Sequence, residues 1–153
     1  MKFLELRIPP PLVGLVIAAG MWAVAHLPPL MPMPRLFRLV VAVLLLATGV
    51  AVALGGVVSF RRARTTVNPL KPETSAALVA TGVYSFTRNP MYLGMVLVLL
   101  GWAAFLASPW PLAGPALFAL YITRFQIVPE ERVLAGLFGE AFAAYKRRVR
   151  RWI

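Results

Sequence analysis

Two short clusters in this chain set polar side chains against apolar runs. The first is Arg88-Asn89-Pro90-Met91-Tyr92, with Gly94 two residues further on. Proline has no N–H and a φ suited to a first helical turn, so Pro90 reads as the start of a helix. The residue before a proline is pushed out of the α region, and asparagine is among the best capping side chains. Asn89 is therefore expected to cap that helix. Unpaired N–H groups, the helix dipole and the Arg88 guanidinium would converge there, a site for an anion. Gly94, on the second turn, would let a ligand come close to the backbone. The second cluster is Glu130-Glu131, which follows Pro129 at the edge of an apolar run. The chain has only five acidic residues, and a carboxylate drawn into a bilayer costs about 2.5–3.5 kcal/mol. A cationic ligand is one reason to keep two of them at such a boundary.

Each cluster also has a plainer reading. Arg88 fits the excess of basic residues beside membrane helices, with Asn89-Pro90 an ordinary cap. Glu130 and Glu131 fit the first turn of a helix, where carboxylates favour the dipole. Arg124, about one and a half turns before Glu130, is placed to orient an anionic acceptor such as a carboxylate or phosphate. It is equally placed to snorkel from a helix end. No His/Asp/Glu grouping has metal-ligand spacing, so no metal site is expected. His26 is the sole histidine, and the absence of cysteine excludes disulfides, thiolate metal sites and cysteine nucleophiles.

The elements that must position these residues are apolar helices. Hydrophobic residues make up 60% of the 153 positions and charged ones 14%, which points to a membrane protein. A spanning helix needs roughly 20 apolar residues, within a range of about 17–25. Four stretches qualify as candidates: 12–27, 36–60, 90–107 and 110–128. The turn between the last two is only Ser108-Pro109-Trp110-Pro111, which predicts a tight helical hairpin with Trp102 and Trp110 at the interface. The expected fold is thus an all-α integral membrane protein, one domain over 1–153. It has about four transmembrane helices, a connection over 61–89 and an amphipathic helix over 130–152. A cleavable leader at the start is the rival reading of the first stretch. Glu5 and the Pro9-Pro10-Pro11 run favour an uncleaved span.

The net charge of +11 invites a nucleic-acid reading. The basic residues flank apolar runs instead of lining one polar face, so no nucleic-acid partner is expected. Arg61, Arg62, Arg64, Lys71 and Arg88 lie in the long connection, and Arg132 and Lys146 to Arg151 follow the fourth span. The third-to-fourth turn carries none. The positive-inside rule then puts the connection and both termini in the cytoplasm, with a bacterial inner membrane as the expected location. From Glu131 to Trp152, the residues Leu134, Leu137, Phe138, Ala141, Tyr145, Val149 and Trp152 recur at three- and four-residue steps. They predict one apolar helix face lying on the membrane surface, with the basic run at its far end.

The order of the pieces carries a resemblance. RNPMYLG, a tight two-span hairpin, RF…EE..L..FGE.F..Y and V.RWI together resemble the isoprenylcysteine carboxyl methyltransferase family, related to the membrane phospholipid methyltransferases. The matching positions are Arg88, Asn89, Pro90, Tyr92, Glu130 and Glu131. Leu78, Val79, Gly82 and Tyr84 match the approach to the motif. The resemblance covers roughly 65–153; the first two spans match only as apolar helices. It implies S-adenosylmethionine as cofactor and a lipophilic small-molecule or lipid acceptor. It also implies that Arg88 with the helix start at Asn89, Pro90 and Gly94 holds the cofactor carboxylate. Glu130 or Glu131 would take the ammonium or ribose hydroxyls, and Leu78, Val79 and Tyr84 would wall the adenine. Arg88, Arg124 and Glu130 are the residues expected at the reaction itself. A prenylated carboxylate, a lipid amine or a lipophilic thiol all suit such a site as acceptor. Two other classes stay open: a membrane reductase with a nicotinamide cofactor, and a non-enzymatic multispan transporter or scaffold.

Overall fold

The computed structural model describes residues 4–66, 68 and 70–153. Val67 and Pro69, within the expected connection, and the first three residues lie outside them. The described residues are helical, with no strand among them. In chain order they form α1 (Pro10–Val24), α2 (Arg35–Arg62), α3 (Pro90–Leu106), α4 (Ala113–Ile122) and α5 (Val128–Arg148). Short 3-10 turns cover Pro72–Thr74, Gly82–Ser85 and Trp110–Leu112.

Among the described residues, two helices are long and apolar enough to cross a bilayer: α2 and the continuous rod Trp110–Arg148. At 1.5 Å per residue the 28 residues of α2 reach about 42 Å, beyond the roughly 30 Å hydrocarbon core. α1 and α3 are apolar but have 15 and 17 residues, which reach about 22 and 25 Å. α1 starts at Pro10 and stops at Val24, earlier at both ends than the expected 12–27. The hairpin between α3 and α4 is as tight as its prolines imply. Ala107 ends α3 in the left-handed region at φ 50°, and Trp110–Leu112 begins the return.

Small residues draw the helices together. α2 and α3 cross where a Cβ on Gly94 would collide with the Gly49 carbonyl oxygen. A Cβ on Gly49 would lie 2.6 Å from the Gly94 oxygen, and one on Gly101 2.9 Å from the Ala42 oxygen. Such backbone contact is how helices associate where lipid removes the hydrophobic drive. The outer face of α2 leaves Leu36, Phe37, Val40, Val43, Leu44 and Leu54 exposed. α1, α3 and α4 enclose a core that includes Val13, Met21, Leu99, Phe118 and Ile122.

The fourth span and the following helix are not separate. The rod runs through them without a break, by way of a π-helical turn over Thr123–Ile127. Pro129 is the cause. It has no N–H for the carbonyl four residues back, that of Phe125. The Leu6 N–H takes that carbonyl at 3.0 Å, so the orphaned acceptor is satisfied by a different part of the chain. The rod bends again at Gly139, whose φ of 48° and ψ of −121° suit glycine.

Much of the expected apolar face is kept across that bend: Leu134, Phe138, Tyr145 and Val149 share one cluster. Phe142 turns inward, and it packs with Tyr145 and Val149 against Leu78, Ala80, Leu134 and Phe138. The helix therefore docks on the protein's own 78–80 segment, while Leu137 remains exposed. The helix stops at Arg148 and Val149 is extended. Trp152 belongs to the main core and not to a surface stripe.

Candidate active site

The start of α3, the π turn, the first turns of α5 and the 72–79 segment enclose one cavity. Counted with its open mouth, it spans about 810 Å³ of empty space. Leu78, Val79, Tyr84, Arg88, Asn89, Tyr92, Glu130 and Glu131 all line it. Phe60, Ile127, Leu134, Phe142 and Tyr145 add apolar and aromatic wall.

Four expected site residues lie elsewhere. Pro90 is fully buried at the first position of α3, where it fixes the helix start. Gly94 faces the α2 backbone, so its missing Cβ serves helix packing and not a ligand. Gly82 supplies a turn at φ 63°, with Ser59 Oγ 3.1 Å from where a Cβ would stand. Arg124 is half exposed and bound to Glu5 at 2.8 Å. Its guanidinium also lies over the Phe125 ring, 5.2 Å from the centroid. The π turn rotates it away from Glu130 and toward the N-terminal segment. Arg132 reaches the same Glu5 at 3.2 Å. The bond from Arg124 leads in holding the Glu5 carboxyl below its ordinary range, with Arg132 assisting.

Asn89 occupies the expected position but does not cap α3 with its side chain. Its Nδ2 donates to the Arg151 carbonyl at 2.9 Å, and its own N–H donates to Thr87 Oγ1 at 3.2 Å. The first turn of α3 is thus left without a side-chain cap.

The Arg88 guanidinium is bound on two of its three nitrogens. Nη2 donates to Glu131 Oε1 at 2.7 Å, and Nη1 donates to the Val149 carbonyl at 2.7 Å. Its Nε–H is buried with no partner among the described residues. Glu131 is engaged on both oxygens, because Arg151 binds it through Nε at 3.0 Å and Nη2 at 2.7 Å. Glu130 is held differently. Its Oε1 accepts from Tyr92 Oη at 2.6 Å and Gln126 Nε2 at 2.7 Å. Both donors are neutral, so neither one pairs with Glu130 as a counter-charge.

Gln126, Arg151 and Phe142 were not singled out as site residues from the sequence. Gln126 had a signal, since it stands one helical turn before Glu130 and meets it at i, i+4. Arg151 had one in the V.RWI motif, although it lies twenty positions from Glu131 inside a basic run.

A helical protein with helices long and apolar enough to cross a bilayer, and a largely apolar cavity carrying a few convergent polar groups, is the class defined by this fold and site. The chain belongs to the phospholipid methyltransferase family, whose pattern matches residues 37–141. It is 41% identical over 63 residues to an uncharacterised protein of Haemophilus influenzae, covering 41% of this chain and all of that one. It is 41% identical over 70 residues to methanethiol S-methyltransferase 1 of Bradyrhizobium diazoefficiens, covering 44% of this chain and 22% of that protein. With the protein-S-isoprenylcysteine O-methyltransferase of Xenopus laevis it shares 36% over 75 residues, 49% of this chain and 26% of the relative. The chain therefore spans only about a quarter of the two named enzymes. No solved structure matches it.

Proposed function

We propose that this protein transfers a methyl group from S-adenosylmethionine to a lipophilic acceptor at the cytoplasmic face of a bacterial inner membrane. The carrying observation is the cavity, where Arg88, its Nε–H without a partner among the described residues, and a Glu130 held by neutral donors share apolar walls. The residues fit that cofactor. The Arg88 Nε–H suits its carboxylate, a charge-assisted bond, and the uncapped start of α3 favours the same charge. Glu130 suits the ammonium group. Leu78, Val79 and Tyr84 provide the apolar wall for adenine.

When bound, the cofactor supplies a methyl group already activated on a sulfonium. The protein's share is to fix geometry and exclude water. Arg88 and Glu130 hold the two ends of the amino acid moiety, and the α5 aromatic wall shuts out solvent. A lipid-like acceptor reaches the cavity sideways, from the bilayer along Phe60 at the end of α2. A prenylated carboxylate, a lipid amine and a lipophilic thiol are the acceptor classes in view. The four-span topology, with the 61–89 connection and the basic 146–151 run inside, follows from the positive-inside rule.

Incubating the protein in nanodiscs with labelled methyl donor and a membrane lipid extract tests the reading. Label transferred to an extractable lipophilic product is the expected result. Consumption of a reduced nicotinamide dinucleotide with no methyl transfer would replace this reading with the reductase.

A further inference from the structure

The basic run Lys146 to Arg151 does not act as one patch. Lys146, Arg147, Arg148 and Arg150 are exposed, whereas Arg151 turns toward α5. It brings an extended segment, Val149–Trp152, against the entrance to α3. The Arg88 N–H donates to the Arg150 carbonyl at 3.1 Å. The Arg151 carbonyl accepts from Asn89 Nδ2 at 2.9 Å and from Thr87 Oγ1 at 3.4 Å. Trp152 Nε1 donates to Thr123 Oγ1 at 3.3 Å, at the π turn. The segment thus joins the Arg88 corner to the π turn.

We infer that Val149–Trp152 is a strap that sets the anion-binding corner of the cavity, and that Arg151 is its positioning residue. Glu131 is shared: Oε1 accepts from both Arg88 Nη2 and Arg151 Nε, while Oε2 takes the second arm of the Arg151 fork. A bidentate guanidinium fixes a carboxylate in plane and orientation. The fixed carboxylate then fixes Arg88 Nη2, and the Val149 carbonyl fixes Nη1. These bonds leave Nε as the Arg88 nitrogen with no partner among the described residues. Arg151 acts on the ligand only through Glu131 and Arg88. Glu131 is accordingly a part of the frame and does not bind the cofactor.

The inference rests on the donor-binding reading above. The test is calorimetric titration of S-adenosylmethionine into the full chain in nanodiscs, for wild type, Arg151→Gln and Arg151→Lys. Wild type without donor binding would overturn the functional reading itself. With wild type binding, Arg151→Gln is expected to weaken donor affinity at least tenfold. Arg151→Lys, which keeps the charge without the fork, is expected to fall between the two. Normal affinity in either variant overturns the strap.

A double-mutant cycle separates positioning from general support. In an Arg88→Lys background, Arg151→Gln should cost less donor affinity than in wild type, because both residues act through one network. Equal costs in the two backgrounds would show that Arg151 supports the fold alone, and would overturn the assignment. Should Arg151→Gln fail to fold, Arg151→Lys alone and in the Arg88→Lys background carries the same comparison.

Discussion

Glu130 accepts hydrogen bonds from two neutral groups, Tyr92 and Gln126, whereas Glu131, its neighbour in the chain, accepts from two guanidinium groups. The consequence is electrostatic. A carboxylate between two arginines is already neutralised and serves to hold elements together. A carboxyl held by an amide and a phenol is oriented but has no cation bound to it in these bonds, which leaves it free to meet a cationic ligand. Adjacent identical residues thus divide into a structural one and a recognition one. The helix makes the division: successive positions point about 100° apart, so one side chain faces α3 and the π turn while the next faces the strap.

The largest effect expected is at the hinge between the two environments. Arg88→Ala removes the donor to Glu131, the ligand to the Val149 carbonyl and the unpartnered Nε–H together. Donor affinity should fall at least a hundredfold in calorimetry, since each charge-assisted bond is worth about 1.5–3 kcal/mol. Retained affinity would detach Arg88 from the site. Next is Glu131→Gln, which leaves two arginines facing each other without a counter-charge. It should lower the unfolding free energy by about 1.5–3 kcal/mol, seen as an earlier melt of the ligand-free protein. An unchanged melt would mean that the strap is not held by this carboxylate.

A smaller change is expected from Tyr92→Phe. It deletes one bond to Glu130 and leaves the Gln126 bond in place, so donor affinity should drop about threefold to tenfold. A loss as large as that of Arg88→Ala would show Tyr92 to touch the ligand itself. The smallest is Arg124→Gln. Its partner is Glu5 and its guanidinium is half exposed, so donor affinity should stay within twofold. A tenfold loss would restore Arg124 to the reaction. The Glu5 pairing has its own pH sense. The Glu5 carboxyl is held low when folded, so its contribution is present above the unfolded value. It is lost as pH falls through the folded one.

The sequence was most informative where chemistry depends on local order. Pro90 as a helix start, the tight 107–111 hairpin and the apolar α2 follow from proline geometry and hydropathy, and the structure has them all. Eight of the expected cavity residues meet in one place because the motif at 88–92 and the Glu pair each lie at the end of an apolar helix. What escaped depends on distant partners. Asn89 satisfies a carbonyl 62 positions away in preference to its own helix. Gly94 answers to Gly49 on another helix. The reach of Arg124 toward Glu5 follows from the π turn, which in turn follows from Pro129. The periodicity after Glu131 found Leu134, Phe138, Tyr145 and Val149, which cluster, but missed Phe142 and the partner segment at Leu78 and Ala80.

The most direct test of the division between the glutamates is donor titration of Glu130→Gln beside wild type. Glutamine keeps one oxygen to accept from Tyr92 and Gln126 and replaces the other with an amide that cannot carry charge, so the ligand-free melt should not change. The account predicts donor binding weakened ten- to hundredfold at an unaltered melting temperature. Wild-type affinity in that variant would contradict it, and would place recognition of the cationic group away from Glu130.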